Sequence, residues 1–288
     1  MKRVLLLMAT SLLALVVSAC GTSADGSTLE KIKAEGKVKI GIANEKPYGY
    51  METDGTVTGE GPEIAKAIFK EMGIEEVEGE VVDFGALIPG LQSERFDLVT
   101  AGMDIRPERC EEADFADIEI QYGEGMIVQK GNPKNLHSYE DIAANPDVIV
   151  SVMAGANENN FLKELGVDDS QIQTANDIAS NVAAVASGRA DATTMTEATT
   201  REAYADADQS KVELVEPFEQ PVIDGKSVMS YGAAASRKGD DELREAYNEG
   251  LQELKDSGEL LNILEQFGFS EANLPDGSMT TEDRCAGK

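Results

Sequence analysis

Val38-Lys39-Ile40-Gly41-Ile42-Ala43, then Asn44-Glu45-Lys46-Pro47-Tyr48-Gly49-Tyr50, then a run opened by Pro62 decide the fold. The first six residues alternate as a strand does, and the next seven carry the Pro and Gly of a loop. Pro62 suits a first helical position. Ile64, Ala65, Ile68, Phe69 and Met72 fall on one helical face, and Gly73 closes it. Val81-Val82-Asp83-Phe84 reads as a second strand, Leu87 to Glu94 as a short helix, and Phe96 to Ala101 as a third strand. Strands alternating with helices predict parallel pairing in an α/β sheet. Ligands on such sheets sit at the carboxyl ends of the strands, so the loops after these three strands are where a site is expected.

A second unit starts near Gly131. Val148 to Val152 reads as a strand, Gly155-Ala156-Asn157-Glu158 starts a helix through Leu165, and Ile178 to Ala186 is another helix. Gly188-Arg189-Ala190-Asp191-Ala192 turns into a strand, and Ser227 to Ala234 reads as a further one. Two amphipathic helices follow, Asp241 to Asp256 and Glu259 to Phe267. With no strands of their own left, they are expected to pack back on the first unit.

Composition excludes several classes. Lys and Arg total 25 against 54 Asp and Glu, a net charge of −29. Such a surface repels nucleic acid and anionic lipid; it favours solubility and fits a salty medium that screens self-repulsion. One histidine, His137, stands in a loop-like stretch, and no cysteine pair has zinc-ligand spacing, so no metal site is expected. Neither a Gly-x-Ser-x-Gly elbow nor a Walker A loop is present, and Gly59-Glu60-Gly61 lacks a third glycine. An enzyme is therefore disfavoured, and no cofactor is implied.

The N-terminus addresses the chain. Lys2 and Arg3 precede an apolar run from Val4 to Val17, too short to span a bilayer comfortably, followed by Ser18-Ala19-Cys20-Gly21. This resembles a bacterial lipobox: residues 1–19 would be a signal peptide, Cys20 the acylated first residue, and 20–28 a flexible tether. Without Lys2 and Arg3 the charge becomes −31. Two acyl chains hold stably where one does not, so the resemblance implies a protein lipid-anchored at the outer face of the membrane or periplasmic. Cys110 and Cys285 remain. In an oxidising exterior two leftover cysteines most often pair, which would staple the C-terminal tail to the body.

Several stretches together carry a family resemblance. They are Gly41 to Gly73, Asp83-Phe84 to Asp97 with Leu87-Ile88-Pro89-Gly90-Leu91, Ala101-Gly102-Met103 to Arg109, and the Gly188-Arg189-Ala190-Asp191-Ala192 turn. The chain is similar to the polar-amino-acid class of solute-binding proteins of ABC importers, over nearly all of Leu29 to Phe269. That resemblance implies a two-lobed α/β fold of the type II periplasmic-binding-protein kind, with two crossover strands as hinge. It places these near Met126-Ile127-Val128-Gln129 and Met229-Ser230-Tyr231-Gly232. Lobe 1 would be 29–128 with 229–270, lobe 2 would be 129–228, and 271–288 the tail. The partners implied are a small zwitterionic ligand and an ABC permease, with the protein a monomer touching the membrane only through its lipid.

A narrower resemblance is to ectoine- and hydroxyectoine-binding proteins, on Asn44 to Tyr50, Asp83 to Leu91 and Arg106-Pro107-Glu108-Arg109-Cys110. Ectoine joins a delocalised amidinium to a carboxylate. Glu45 suits the ring N–H groups by charge-assisted hydrogen bonding. Tyr48 and Phe84 suit the cation through their ring faces, and Arg109 suits the carboxylate by bidentate pairing. Asn157 either offers its amide and nearby helix-end N–H groups to the ligand or simply caps the helix. Two departures bear on the ligand. Where amino-acid binders carry an aspartate for the α-ammonium, this chain reads Thr193-Thr194-Met195-Thr196-Glu197, leaving Thr196, or Glu197 after a one-residue shift. Where a third aromatic wall is expected, Asp104 stands. The alternatives are a polar or cationic amino-acid binder and, in another class, an enzyme like the cyclohexadienyl dehydratases.

Overall fold

The computed structural model describes residues 26–288; the expected signal peptide, Cys20 and most of the expected tether lie outside the described residues. Strand Lys37–Ile42 buries Val38, Ile40 and Ile42 completely, as its alternation requires. It pairs in parallel with Glu76–Val81 on one side and Leu98–Val99 on the other. Helices Glu60–Glu71 and Leu87–Gln92 make the connections. The first sheet is completed by Ala235–Ser236, antiparallel to Leu98–Val99, and by Asp114–Phe115 at the far edge. The second sheet repeats the plan. Ile172–Ala175, Val150–Met153 and Ala192–Thr196 run parallel, then Glu124–Gln129 enters antiparallel, with Val212–Leu214 at the edge.

Two sheets make two lobes of a type II periplasmic-binding-protein fold. The chain passes between them twice, and the passing segments Ile120–Tyr122 and Ser230–Gly232 pair antiparallel with each other. Each is followed directly by the strand that enters the opposite sheet against the grain. The Met126 to Gln129 stretch, expected to be a crossover, is instead inside the second sheet, flanked by strands on both sides. An almost uninterrupted buried run, EGMIVQ, is what a central strand needs; the change of sheet happens earlier, between Tyr122 and Glu124.

Other differences have local causes. The helix predicted to open at Pro62 begins at Glu60, so Pro62 is its third residue; a shorter helix, Thr28–Glu35, precedes the first strand. Pro is tolerated there because the first N–H groups have no intrahelical partner. The turn starts at Gly59, at φ 120°, where a Cβ would lie 2.5 Å from the Tyr48 carbonyl oxygen. The sheet strand predicted over 81–84 is instead Glu76–Val81. Its acidic alternation, EVEGEV, leaves little apolar signal on an edge strand whose Val81 is exposed. The predicted strand over 227–234 is broken into Lys226–Ser227 and Ser230–Gly232, with Ala235–Ser236 beyond it.

Helices Asp241–Ser257 and Glu259–Gln266 do pack on the first lobe. Leu243, Tyr247, Leu251, Leu260 and Leu264 join Ile64, Ile68 and Phe69 in one core. Each such side chain, fully buried, contributes about 1.5–3 kcal/mol. The second lobe has its own core, with Val128, Tyr139, Val150, Val152 and Leu162. Separately cored lobes joined by two thin strands can move as rigid bodies.

Candidate functional site

The loop after the first strand delivers two of the expected residues. Glu45 and Gly49 exchange backbone hydrogen bonds of 2.9 and 3.0 Å around a cis Lys46–Pro47 bond. That tight turn sends Glu45 and Tyr48 inward, both almost wholly buried. The Tyr48 ring lies on Gly102, at φ 56°, where a Cβ would come within 2.2 Å of the ring. Tyr48 also packs on Tyr122, centroids 5.2 Å apart, and on Phe269, 5.5 Å apart.

Between the lobes these residues line a cavity enclosing about 360 Å³ between atoms, its open mouth included. The space open to a water-sized sphere is only about 30 Å³, so the lobes are drawn closely together over the site. The first lobe contributes Glu45, Tyr48, Phe84, Ala101, Gly102, Asp104 and Arg109. Tyr122 comes from the crossing segment, and Glu124, Met153, Ala156, Asn157, Glu158 and Thr196 from the second lobe. The cavity thus lies at the carboxyl ends of the parallel strands.

Three contacts bridge the lobes at the cavity, and beside it Asn160 Nδ2 donates to Glu108 Oε1 at 3.2 Å and Arg106 lies 3.6 Å from Glu164. Thr199 Oγ1 donates to Glu45 Oε1 at 2.8 Å. Asn157 Nδ2 donates to Asp104 Oδ2 at 2.5 Å. Arg109 Nη2 donates to the Gly155 carbonyl at 2.9 Å, while Nη1 donates to the Asp104 carbonyl at 2.8 Å. The Arg109 guanidinium also sits 5.4 Å from the centre of the Phe84 ring, within cation–π range. These contacts define a closed cleft.

The cavity is dominated by carboxylates. Burial pushes Glu45 up to about 7, against the hydrogen bond from Thr199. Burial likewise pushes Glu158 up to about 8, with the charges of Glu45 and Asp104 adding to it. Glu124 is raised well above its ordinary value by burial and then by Glu158; the Tyr139 hydroxyl donates to it at 3.0 Å. Asp104 is raised by burial, opposed first by Arg284. Asn157 Oδ1 and Glu158 Oε2 are buried and have no partner among the described residues. No group of three or more metal-ligating side chains with metal-binding geometry exists among the described residues.

Of the residues singled out in the sequence, Glu45, Tyr48, Phe84, Asp104, Arg109, Asn157 and Thr196 meet at this cavity. Asn157 stands at the N-cap position yet makes no capping bond; its amide goes to Asp104 instead. Thr196 lines the cavity and also caps helix Glu197–Asp206, accepting from Thr199 N–H at 3.2 Å. Glu197 does not line this cavity; as the first residue of that helix it pairs with Arg201 on the surface. Tyr122, Glu124 and Glu158 were not anticipated. Tyr122 and Glu124 sit at the crossing that the sequence pattern placed too late, and an acid in a first helical turn ordinarily serves the helix dipole. Cys110 and Cys285 form a disulfide between helix Pro107–Glu112 and helix Thr281–Cys285.

Residues 38–271 match the bacterial extracellular solute-binding proteins, family 3. The chain is 42% identical over 264 residues to the probable amino-acid ABC transporter periplasmic-binding protein y4tE of Sinorhizobium fredii, covering 90% of this chain and 86% of that one. It is 33% identical over 272 residues to the arginine-binding extracellular protein ArtP of Bacillus subtilis, covering 94% and 100%. Among solved structures it resembles EhuB in complex with hydroxyectoine, with TM-score 0.82 and 35% identity over 91% of this chain and 98% of that one.

Proposed function

The chain belongs to the family 3 bacterial extracellular solute-binding proteins and is a solute-binding protein of an ABC importer, not an enzyme; from that premise we propose that its cleft captures ectoine or hydroxyectoine. The observation that carries this reading is the combination at the cavity of one guanidinium, aromatic rings and facing carboxylates. Arg109 takes the ligand carboxylate in a forked pair, releasing the carbonyls it now holds. Tyr48, Phe84 and Tyr122 wall the delocalised cation. Glu45, held by Thr199, accepts from the ring N–H groups. The hydroxyectoine-bound relative supports the choice of ligand.

Capture is closure. An empty closed cleft buries several carboxylates with a single guanidinium lining the cavity, so ionised acids favour the open, hydrated form. A ligand cation offsets that cost and lets the Glu45–Thr199 and Asp104–Asn157 bridges form. The hinge is the paired Ile120–Tyr122 and Ser230–Gly232. The delivery partner is the permease, and Cys20 with its tether anchors a monomer at the outer face of the cell membrane or in the periplasm.

One observation favours a second reading. Four acids, Glu45, Asp104, Glu124 and Glu158, line the cavity with one arginine. That excess fits a cationic amino acid, and the arginine-binding relative points the same way. Thermal unfolding with ectoine, hydroxyectoine, L-arginine and L-glutamine separates the two. A ligand at 100 times its dissociation constant stabilises by about 2.7 kcal/mol. A shift with ectoines alone supports the first reading and a shift with L-arginine alone the second. No shift with any of the four overturns both.

A further inference from the structure

The C-terminal tail lies outside both lobes' sheets, yet it reaches the binding site from behind. Its last helix, Thr281–Cys285, is tied to helix Pro107–Glu112 by the Cys110–Cys285 bridge and to the end of strand Asp114–Phe115 by Thr281 Oγ1 donating to the Ala116 carbonyl at 2.8 Å. One residue before the bridge, Arg284 turns inward. Its guanidinium lies 5.2 Å from the centre of the Tyr231 ring, and Nη2 is 3.5 Å from both carboxylate oxygens of Asp104. Its Nε is buried without a partner among the described residues. Asp104 in turn accepts from Tyr231 N–H at 2.7 Å, on the hinge segment, and from Asn157 across the cleft. One carboxylate therefore joins the tail, the hinge and the second lobe.

We propose that Arg284 is a positioning residue of the binding site, held by the Cys110–Cys285 bridge as the counter-charge that keeps Asp104 ready to receive Asn157 when the lobes close. The charged and titratable groups facing Asp104 are Arg284 from the tail, Arg106 and Arg109 from the first lobe, Tyr122 from the crossing, and Glu124 and Glu158. Arg109 is the ligand's clamp, and its forked donors point to carbonyls. That leaves Arg284 as the guanidinium aimed at the Asp104 carboxylate itself. Both partners belong to the first lobe and its hinge, so the pair persists when the cleft opens. The proposal is independent of which solute binds.

The test is a carboxyl-carbon NMR titration of the ligand-free exported protein, with the Asp104 signal identified by Asp104→Asn. Arg284→Gln is expected to raise the Asp104 midpoint by about 1 unit or more, the usual scale for losing an adjacent opposite charge. Arg284→Lys restores part of the shift. The double variant Cys110→Ser/Cys285→Ser, which leaves Arg284 in place but unties it, moves the midpoint the same way. A tail that serves only stability would lower the unfolding temperature of these variants and leave the midpoint where it is. That outcome overturns the proposal.

Discussion

Closure of the empty cleft should depend on pH, and Glu45 sets the scale. In the open form its carboxyl meets water and keeps its ordinary value near 4.5; in the closed form burial raises it to about 7. The closed form therefore binds more protons. Closure is fully favoured below the open value and is lost as pH rises toward the closed value. Between about pH 5.5 and about pH 8.5 the linkage for this one group amounts to about 2 kcal/mol, roughly thirtyfold in the closed-to-open ratio. Glu158, raised to about 8, acts in the same direction. Small-angle scattering of the unliganded protein should show a smaller radius of gyration at the acid end. Glu45→Gln, which keeps the acceptor for Thr199 and removes the charge, should stay more compact at the alkaline end. A radius that is the same at both ends, and the same in Glu45→Gln, would refute the idea that these acids hold the empty cleft open.

Arg109→Ala should cost about 2–5 kcal/mol of ligand binding by calorimetry, the scale for truncating one partner of a buried charge pair; unchanged affinity removes Arg109 from the site. Glu197→Gln should leave ligand affinity unchanged, because its carboxylate pairs with Arg201 at the surface; a loss would place it in the cleft after all. The 175-residue separation of Cys110 and Cys285 makes their bridge worth up to about 5 kcal/mol in chain entropy. Urea unfolding of the Cys110→Ser/Cys285→Ser variant should report a loss within that bound, and no loss would mean that the tail constrains nothing.

The fold was legible because burial and chain pattern agree wherever a strand is central or a helix has one apolar face. Val38, Ile40 and Ile42 alternate, Ile64, Ile68 and Phe69 repeat at helical spacing, and all are buried. Legibility failed at edges and crossings. Glu76–Val81 carries acids on an exposed edge. At Tyr122-Gly123-Glu124 the chain changes sheets with no change in composition to mark it. The candidate site was legible where a residue type has one dominant chemistry, as with Arg109 beside Phe84. What was not legible is which of these residues would meet each other across the cleft. Asp104 and Asn157 are 53 residues apart, and Glu45 and Thr199 are 154 apart. No local pattern announces such pairs.

The missing third aromatic wall illustrates this and gives a last test. Asp104 occupies the position where a ring is expected, and the ring is supplied from elsewhere. Tyr122, on the crossing segment, lines the cavity, packs on Tyr48, and donates its hydroxyl to the Gly102 carbonyl at 2.6 Å. If its ring walls a ligand cation, Tyr122→Phe keeps the ring and gives up only that hydrogen bond, so ligand affinity should hold even where stability falls slightly. Tyr122→Leu keeps comparable apolar bulk and removes the ring quadrupole, so affinity should fall by about 0.5–2 kcal/mol. Calorimetry reads the affinity and thermal unfolding of the unliganded variants reads the stability, so the two effects separate. Full affinity in Tyr122→Leu would mean that Tyr48 and Phe84 suffice, and that Tyr122 serves only to seat Tyr48. Loss in both variants would instead assign the role to the hydroxyl and to the Gly102 backbone that it fixes beneath the Tyr48 ring.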